Sequence, residues 1–157
     1  ELAGEFDGAF IERCRNFLHD PGISVVRDVE ILRTHARVHA LHDPTEGGLA
    51  TALHEMAAAA GAGMCVEAET IPILPETAAL CERYGLDPLG LIASGALLAA
   101  VPPADAPGAV QALEAAGILA RVIGRVEPAE RGLTLRREGL EAPLPAFPRD
   151  EIARLFD

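Results

Sequence analysis

Apolar residues recur at helical spacing from the start of the chain, where Phe6, Phe10, Cys14 and Phe17 are joined by Ile11 and Leu18. The run predicts an amphipathic helix over residues 5–19, stopped by Asp20-Pro21-Gly22. Ser24 is a suitable N-cap for a second helix that buries Val25, Val29 and Leu32. Arg37 to Leu41 then alternates, with Val38 and Ala40 facing one way, and reads as a short strand entering the loop His42–Gly48. A helix over residues 48–60 places Leu49, Leu53, Met56 and Ala60 on one face, with Gly61 as its stop.

Farther on, Met64, Val66 and Ala68 mark a strand with one covered face. Pro75 suits the first turn of a helix running through Leu80, Cys81 and Tyr84 to Gly85. The continuously apolar stretch Ala96–Val101, between Gly95 and Pro102, predicts a central strand. A helix over residues 104–116 closed by Gly117, a strand over 118–126 with Arg121 and Arg125 outward, and a short strand at 133–136 complete the core. Pro143, Pro145 and Pro148 break the tail before a short helix at 150–156.

Such alternation calls for an α+β (α/β layered) fold, a mixed sheet covered by helices, with a ferredoxin-like part from residue 64 onward. The expected organisation is one domain over residues 1–157: N-terminal helices at 1–35, a core of sheet and helices at 36–137, and a Pro-rich tail at 138–157. A chain of this length buries roughly 68–70% of its unfolded surface, enough for a true core. Half the residues are apolar but only 4% are aromatic and none is Trp, so small aliphatic side chains must fill it.

Charge narrows the chemistry. The net charge is −11, and the acidity lies in residues 1–117, which carry six Arg against seventeen Asp and Glu. Nucleic-acid binding requires a concentrated basic face and is not expected. All thirteen basic residues are Arg, which removes a P-loop lysine, a Schiff-base lysine and a Ser-Lys dyad. Cys14, Cys65 and Cys81 are odd in number and widely spaced, suggesting reduced thiols rather than a disulfide framework or a zinc site. No apolar run is long enough to span a membrane and no signal pattern opens the chain, so a cytoplasmic protein is expected. An opening on Glu1 without Met points to a piece of a longer chain.

Several local patterns are set aside as structural. His54-Glu55 lacks the second His of a zinc-protease helix, because position 58 is Ala. His39 and His42, with Asp43 adjacent, lack further ligands, and no metal site is expected on the chain. Gly61-x-Gly63 follows a helix where a dinucleotide fingerprint must follow a strand. Glu67 and Glu69 read as a solvated strand edge.

The His42–Gly48 loop is the candidate for chemistry. It joins a strand end, two polar side chains, a turn-forming Pro44, the Thr45 hydroxyl and a glycine pair opening a helix. Helix N-termini offer unpaired amides and partial positive charge, and glycines let an anion approach the backbone. Turn and cap chemistry alone would use the same residues.

The segment His42-Asp43-Pro44-Thr45-Glu46-Gly47-Gly48-Leu49-Ala50, with Glu55 a little farther along, resembles the H-D-P-T-R-G-G-L-A…E motif of the AIR synthase-related/HypE superfamily. Leu86-Asp87-Pro88-Leu89, followed by Ser94-Gly95, resembles that superfamily's second landmark. The similarity runs from about Ile23 to Val126 and corresponds to the C-terminal domain. It implies an ATP-dependent enzyme that phosphorylates a substrate oxygen to make it a leaving group. ATP and Mg2+ would be bound mainly by an Asp-rich N-terminal domain that these residues do not include. This domain would form one wall of the cleft. On that resemblance His42, Asp43 and Thr45 are candidate catalytic residues, and Gly47 and Gly48 candidate phosphate or substrate binders.

The implied partners are a small-molecule or carbamoyl-type substrate, the chain's own N-terminal domain, and a second copy in a homodimer when full length. The isolated domain is expected to be inactive. Two departures stand out: Glu46 replaces the Arg of the HypE branch, and the chain ends Leu155-Phe156-Asp157 rather than in Cys. Both favour a HypE relative of another substrate. The rival reading is a non-catalytic ferredoxin-like interaction or regulatory domain.

Overall fold

The computed structural model describes residues 4–156. Among the described residues five α-helices and six strands follow one another: α1 (Gly8–Asn16), α2 (Val26–His35), β1 (Ala40–His42), α3 (Gly48–Ala60), β2 (Gly63–Glu67), α4 (Pro75–Tyr84), β3 (Leu98–Ala100), α5 (Ala106–Ala115), β4 (Gly124–Glu127), β5 (Leu133–Arg137) and β6 (Leu140–Pro143). The mixed, layered α/β class expected from the pattern is the one observed.

The strands form two ladders. β2 lies between β4, antiparallel, and β5, parallel, and β6 pairs antiparallel with β5, in the order β4-β2-β5-β6. β1 and β3 form a separate antiparallel pair, with Ala40 opposite Ala100 and His42 opposite Leu98. The central apolar segment thus joins β1 rather than the sheet of β2. Its period explains the placement: Leu98 and Ala100 pack into the core around α3, while Leu97, Ala99 and Val101 pack against α2 and α5. With both faces covered by helices, the strand has no alternating polar side, which is why it reads as continuously apolar.

The larger core gathers Ala50, Ala52, Leu53, Met56 and Ala57 of α3 with Met64 and Val66 of β2, Leu89, Leu98, Leu135 and Leu144. Ala at so many α3 positions lets the helix approach both ladders closely. A smaller core joins Leu32 of α2 to Ala109 and Leu113 of α5.

The opposite face of the four-stranded sheet is covered by charge. Glu67, Arg125, Glu127, Arg131, Glu141 and Arg136 form a closed ring of alternating sign, with successive N···O separations of 3.6, 2.8, 3.2, 3.3, 3.9 and 3.2 Å. Cys65, on the same strand face as Glu67, is fully buried beneath this side. Glu67 is therefore a doubly paired carboxylate and not the solvated edge expected, whereas Glu69 is exposed, as expected, and accepts the Glu138 amide at 2.7 Å.

The ends of the chain depart most from expectation. α1 covers Gly8–Asn16 rather than 5–19 and buries no residue; Phe6 instead stacks on Phe10 with ring centroids 4.4 Å apart. α2 begins after Val25, not Ser24, without a side-chain cap, and of its three apolar positions only Leu32 is fully buried. The strand expected over 118–126 is regular only at Gly124–Glu127. The tail holds an unforeseen strand, β6, and the short helix at its end is a 3₁₀ helix at Glu151–Phe156. Among the described residues no helix is long and apolar enough to cross a membrane.

Candidate functional site

β1 delivers the chain into the loop and α3 takes it away, so the loop is held at both ends by the larger core. Pro44 is completely buried and anchors its middle. The turn into α3 depends on two successive residues in the left-handed region, Gly47 at φ 75° and Gly48 at φ 63°. A side chain on Gly48 would also meet Leu91 O at 2.5 Å and Leu89 O at 2.6 Å. That contact seats the first landmark loop directly on the second. The Thr45 carbonyl reinforces the junction by accepting the amides of Gly48 at 3.0 Å and Ala93 at 3.3 Å.

Asp43, Thr45 and Glu46 are exposed, whereas Gly47 and Gly48 are buried. The role of Thr45 in holding the loop is thus carried by its carbonyl. Gly47 is the N-cap of α3 and supplies no side chain to the first-turn amides, which have no acceptor within the helix.

His42 stands at the end of β1 with its Nε2 2.7 Å from Glu55 Oε2 on α3. The other ring nitrogen, Nδ1, is buried and has no hydrogen-bond partner among the described residues. Leaving a buried polar atom unpaired typically costs about 1–3 kcal/mol. His39, by contrast, is exposed, and its backbone amide pairs with Ala100 O at 2.8 Å. His54 lies at 3.2 Å from Pro145 O as a donor to that carbonyl, which accounts for it structurally. No group of three or more His, Cys, Asp or Glu residues is placed to hold a metal among the described residues.

The tail takes a part in this region that the sequence pattern does not announce. From Leu144 onward the tail crosses both landmark loops. Leu144 is buried and its amide pairs with Leu133 O at 3.0 Å; Phe147 packs so closely on Gly90 that a Cβ there would lie 2.5 Å from the ring. Two successive carboxylates then take one backbone amide from each landmark. Asp150 Oδ2 accepts from Gly47 N at 2.8 Å, and Glu151 Oε2 accepts from Asp87 N at 2.8 Å. Glu151 is almost wholly buried and is also paired with Arg154 at 2.6 Å, which in turn donates to Gly85 O at 3.1 Å. Asp87 Oδ1 caps its own 3₁₀ turn by accepting from Leu89 N at 2.9 Å. Nearby, burial pushes the Cys81 thiol pKa up, with Asp87 and Glu151 adding to the effect. The only local signal for the strap was an acidic pair after a proline-broken stretch, and nothing in it names partners 103 and 64 residues away.

Residues 22–135 match the family described as AIR synthase related protein, C-terminal domain. The carbamoyl dehydratase HypE of Rhodobacter capsulatus is 46% identical over 90 residues, covering 56% of this chain and 26% of that protein. Among solved structures, E. coli HypE, a hydrogenase maturation protein, superposes with a TM-score of 0.73 at 31% identity, over 83% of this chain and 42% of that one. A structure of HypE in complex with ATP gives 0.69 at 31% identity, over 79% and 40%. The chain thus spans less than half the length of these relatives.

Proposed function

Because the chain belongs to the AIR synthase related protein C-terminal domain family, we propose that it is the C-terminal domain of a HypE-like, ATP-dependent enzyme that activates a substrate oxygen by phosphorylation. The single observation that carries this reading is the glycine-capped start of α3, preceded in the chain by His42, Asp43 and Thr45 and seated on the second landmark loop. The relatives named above support it, one as a carbamoyl dehydratase and one by its ATP complex.

The chain's residues suit one wall of a cleft better than a complete nucleotide site. It has no Lys to pair with phosphates, and no acidic cluster among the described residues is placed to hold Mg2+. On this reading the metal and most of the nucleotide would be bound by an N-terminal domain outside these residues. ATP would supply the phosphoryl group that makes the substrate oxygen a leaving group. The loop's part is to receive anionic oxygen at the first turn of α3, where the helix dipole favours negative charge; the Gly48 amide is held by the Thr45 carbonyl at 3.0 Å, which leaves the Gly47 amide as the one to be exchanged. Gly47 contributes its amide when a ligand oxygen takes the position that Asp150 holds. Asp43 and His42 orient the substrate or transfer a proton, and the exposed Thr45 hydroxyl bonds to ligand.

Glu46, exposed at the mouth of the loop, sets a negative charge where the HypE branch carries a positive one. A carbamoyl-type or other small substrate with a neutral or cationic group near this position fits that reversal. A homodimer of the full-length protein, assembled through the N-terminal domains, completes the reading. ATP turnover by the full-length protein is the test, and a protein that neither binds nor hydrolyses ATP would sink it. Asp43→Ala is expected to abolish turnover with no change in thermal unfolding, as befits an exposed residue.

A further inference from the structure

We propose that Glu55 is a positioning residue which holds the His42 imidazole as its Nε2–H tautomer and so reserves Nδ1 as the acceptor for a ligand N–H or O–H. The two nitrogens of the ring stand in unlike surroundings. Nε2 lies 2.7 Å from a carboxylate oxygen, while Nδ1 is buried without any partner among the described residues. An ionised carboxylate can only accept, so the nitrogen facing Glu55 must carry the hydrogen. In the neutral ring the opposite nitrogen is then a bare lone pair.

Buried polar atoms are almost always paired, and an exception calls for a specific explanation. The unpaired atom belongs to the residue that ends β1 and immediately precedes Asp43–Gly48, and a ligand N–H or O–H reaching it as the loop adjusts would supply the missing donor. The Glu55 carboxylate is more than half exposed, so the pair is not a buried structural bridge that would hold α3 to β1 by itself. Its geometry is that of a carboxylate fixing an imidazole so that the remote nitrogen can take a proton. The location of the ligand rests on the function proposed above; the tautomer does not.

The test reads the imidazole nitrogens of His42 by 15N NMR in the 157-residue chain, at a pH where the ring is neutral. The wild type is expected to show a single Nε2–H tautomer with Nδ1 unprotonated. Glu55→Gln, whose amide can donate as well as accept, is expected to shift the ring towards the Nδ1–H form while the backbone spectrum stays in place. A wild type in the Nδ1–H form, or a tautomer that does not respond to Glu55→Gln, overturns the proposal. In the full-length protein Glu55→Gln should lower kcat by roughly 100-fold, the lower end of general acid–base contributions, with KM for ATP unchanged. An unchanged kcat overturns the acceptor role. Absence of any ATP turnover in the wild type would instead defeat the proposed function, and the NMR result would still decide the tautomer.

Discussion

Asp150 and Gly47, 103 residues apart, are joined by a hydrogen bond of 2.8 Å from the Gly47 amide to the Asp150 carboxylate. A tail carboxylate thus rests at the glycine-rich end of the candidate loop, and the next residue repeats the arrangement at the second landmark.

Replacing Asp150 by Ala removes a charge-assisted bond, a class that contributes about 1.5–3 kcal/mol. The loss should be felt first as local opening. Amide hydrogen exchange at Gly47 is expected to accelerate by at least about 10-fold while that of α3 core amides changes far less. Equal acceleration throughout would mean that the tail holds the whole fold and not this loop.

Gly48→Ala places a side chain at φ 63° and within 2.5–2.6 Å of the Leu89 and Leu91 carbonyls. The left-handed strain and the backbone collision together should cost about 2–4 kcal/mol. Urea unfolding is the check, and a loss below 1 kcal/mol, roughly that of an unstrained surface change, would show that the two loops can separate without penalty.

The charge ring makes stability depend on acid in a defined sense. The hydrogen bond from Arg131 is the first cause that holds the Glu127 carboxyl below its usual pKa, with Arg125 acting in the same direction against desolvation. A depressed folded-state pKa contributes stability that is complete above the unfolded value, about 4.3 for Glu, and is lost as pH falls through the lowered value. Wild type should therefore unfold at a higher temperature than Glu127→Gln at neutral pH, and the gap should close in acid. A gap that stays constant with pH would assign the effect to packing.

The three thiols should react in order of access. Cys14 is partly exposed, whereas Cys65 and Cys81 are buried; burial pushes the Cys14 and Cys81 thiols up alike, so access is what separates them. A thiol-specific reagent is expected to modify one cysteine in the native chain and three in urea. Labelling of Cys81 at the rate of Cys14 would contradict the burial of Cys81.

The elements that were legible in the sequence are those specified locally. α3 spans Gly48–Ala60, as its periodic Leu53 and Met56 and its terminal Gly61 predict, and α4 begins at Pro75 and stops at Gly85 for equally local reasons. Periodicity does not say what a face will meet. The apolar repeat of α1 finds no core, and the Leu98–Ala100 strand chooses β1 because helices cover both its faces. Position in the loop was readable at His42 and Gly48, since strand end and helix start are local signals. The pairing of Nε2 with Glu55, the orphaned Nδ1 and the carboxylates of the strap depend on approaches that no short window of sequence encodes.

The tail strap also sets an order of events during synthesis. Gly47 and Asp87 leave the ribosome long before the carboxylates that will occupy their amides. At about 5–20 residues per second, the 103 residues between Gly47 and Asp150 amount to roughly 5–20 s of translation. Throughout that interval the loop is made but unlatched, its amides facing water or whatever anion the nascent chain encounters. The landmark loops therefore cannot take their latched form until the tail has been made.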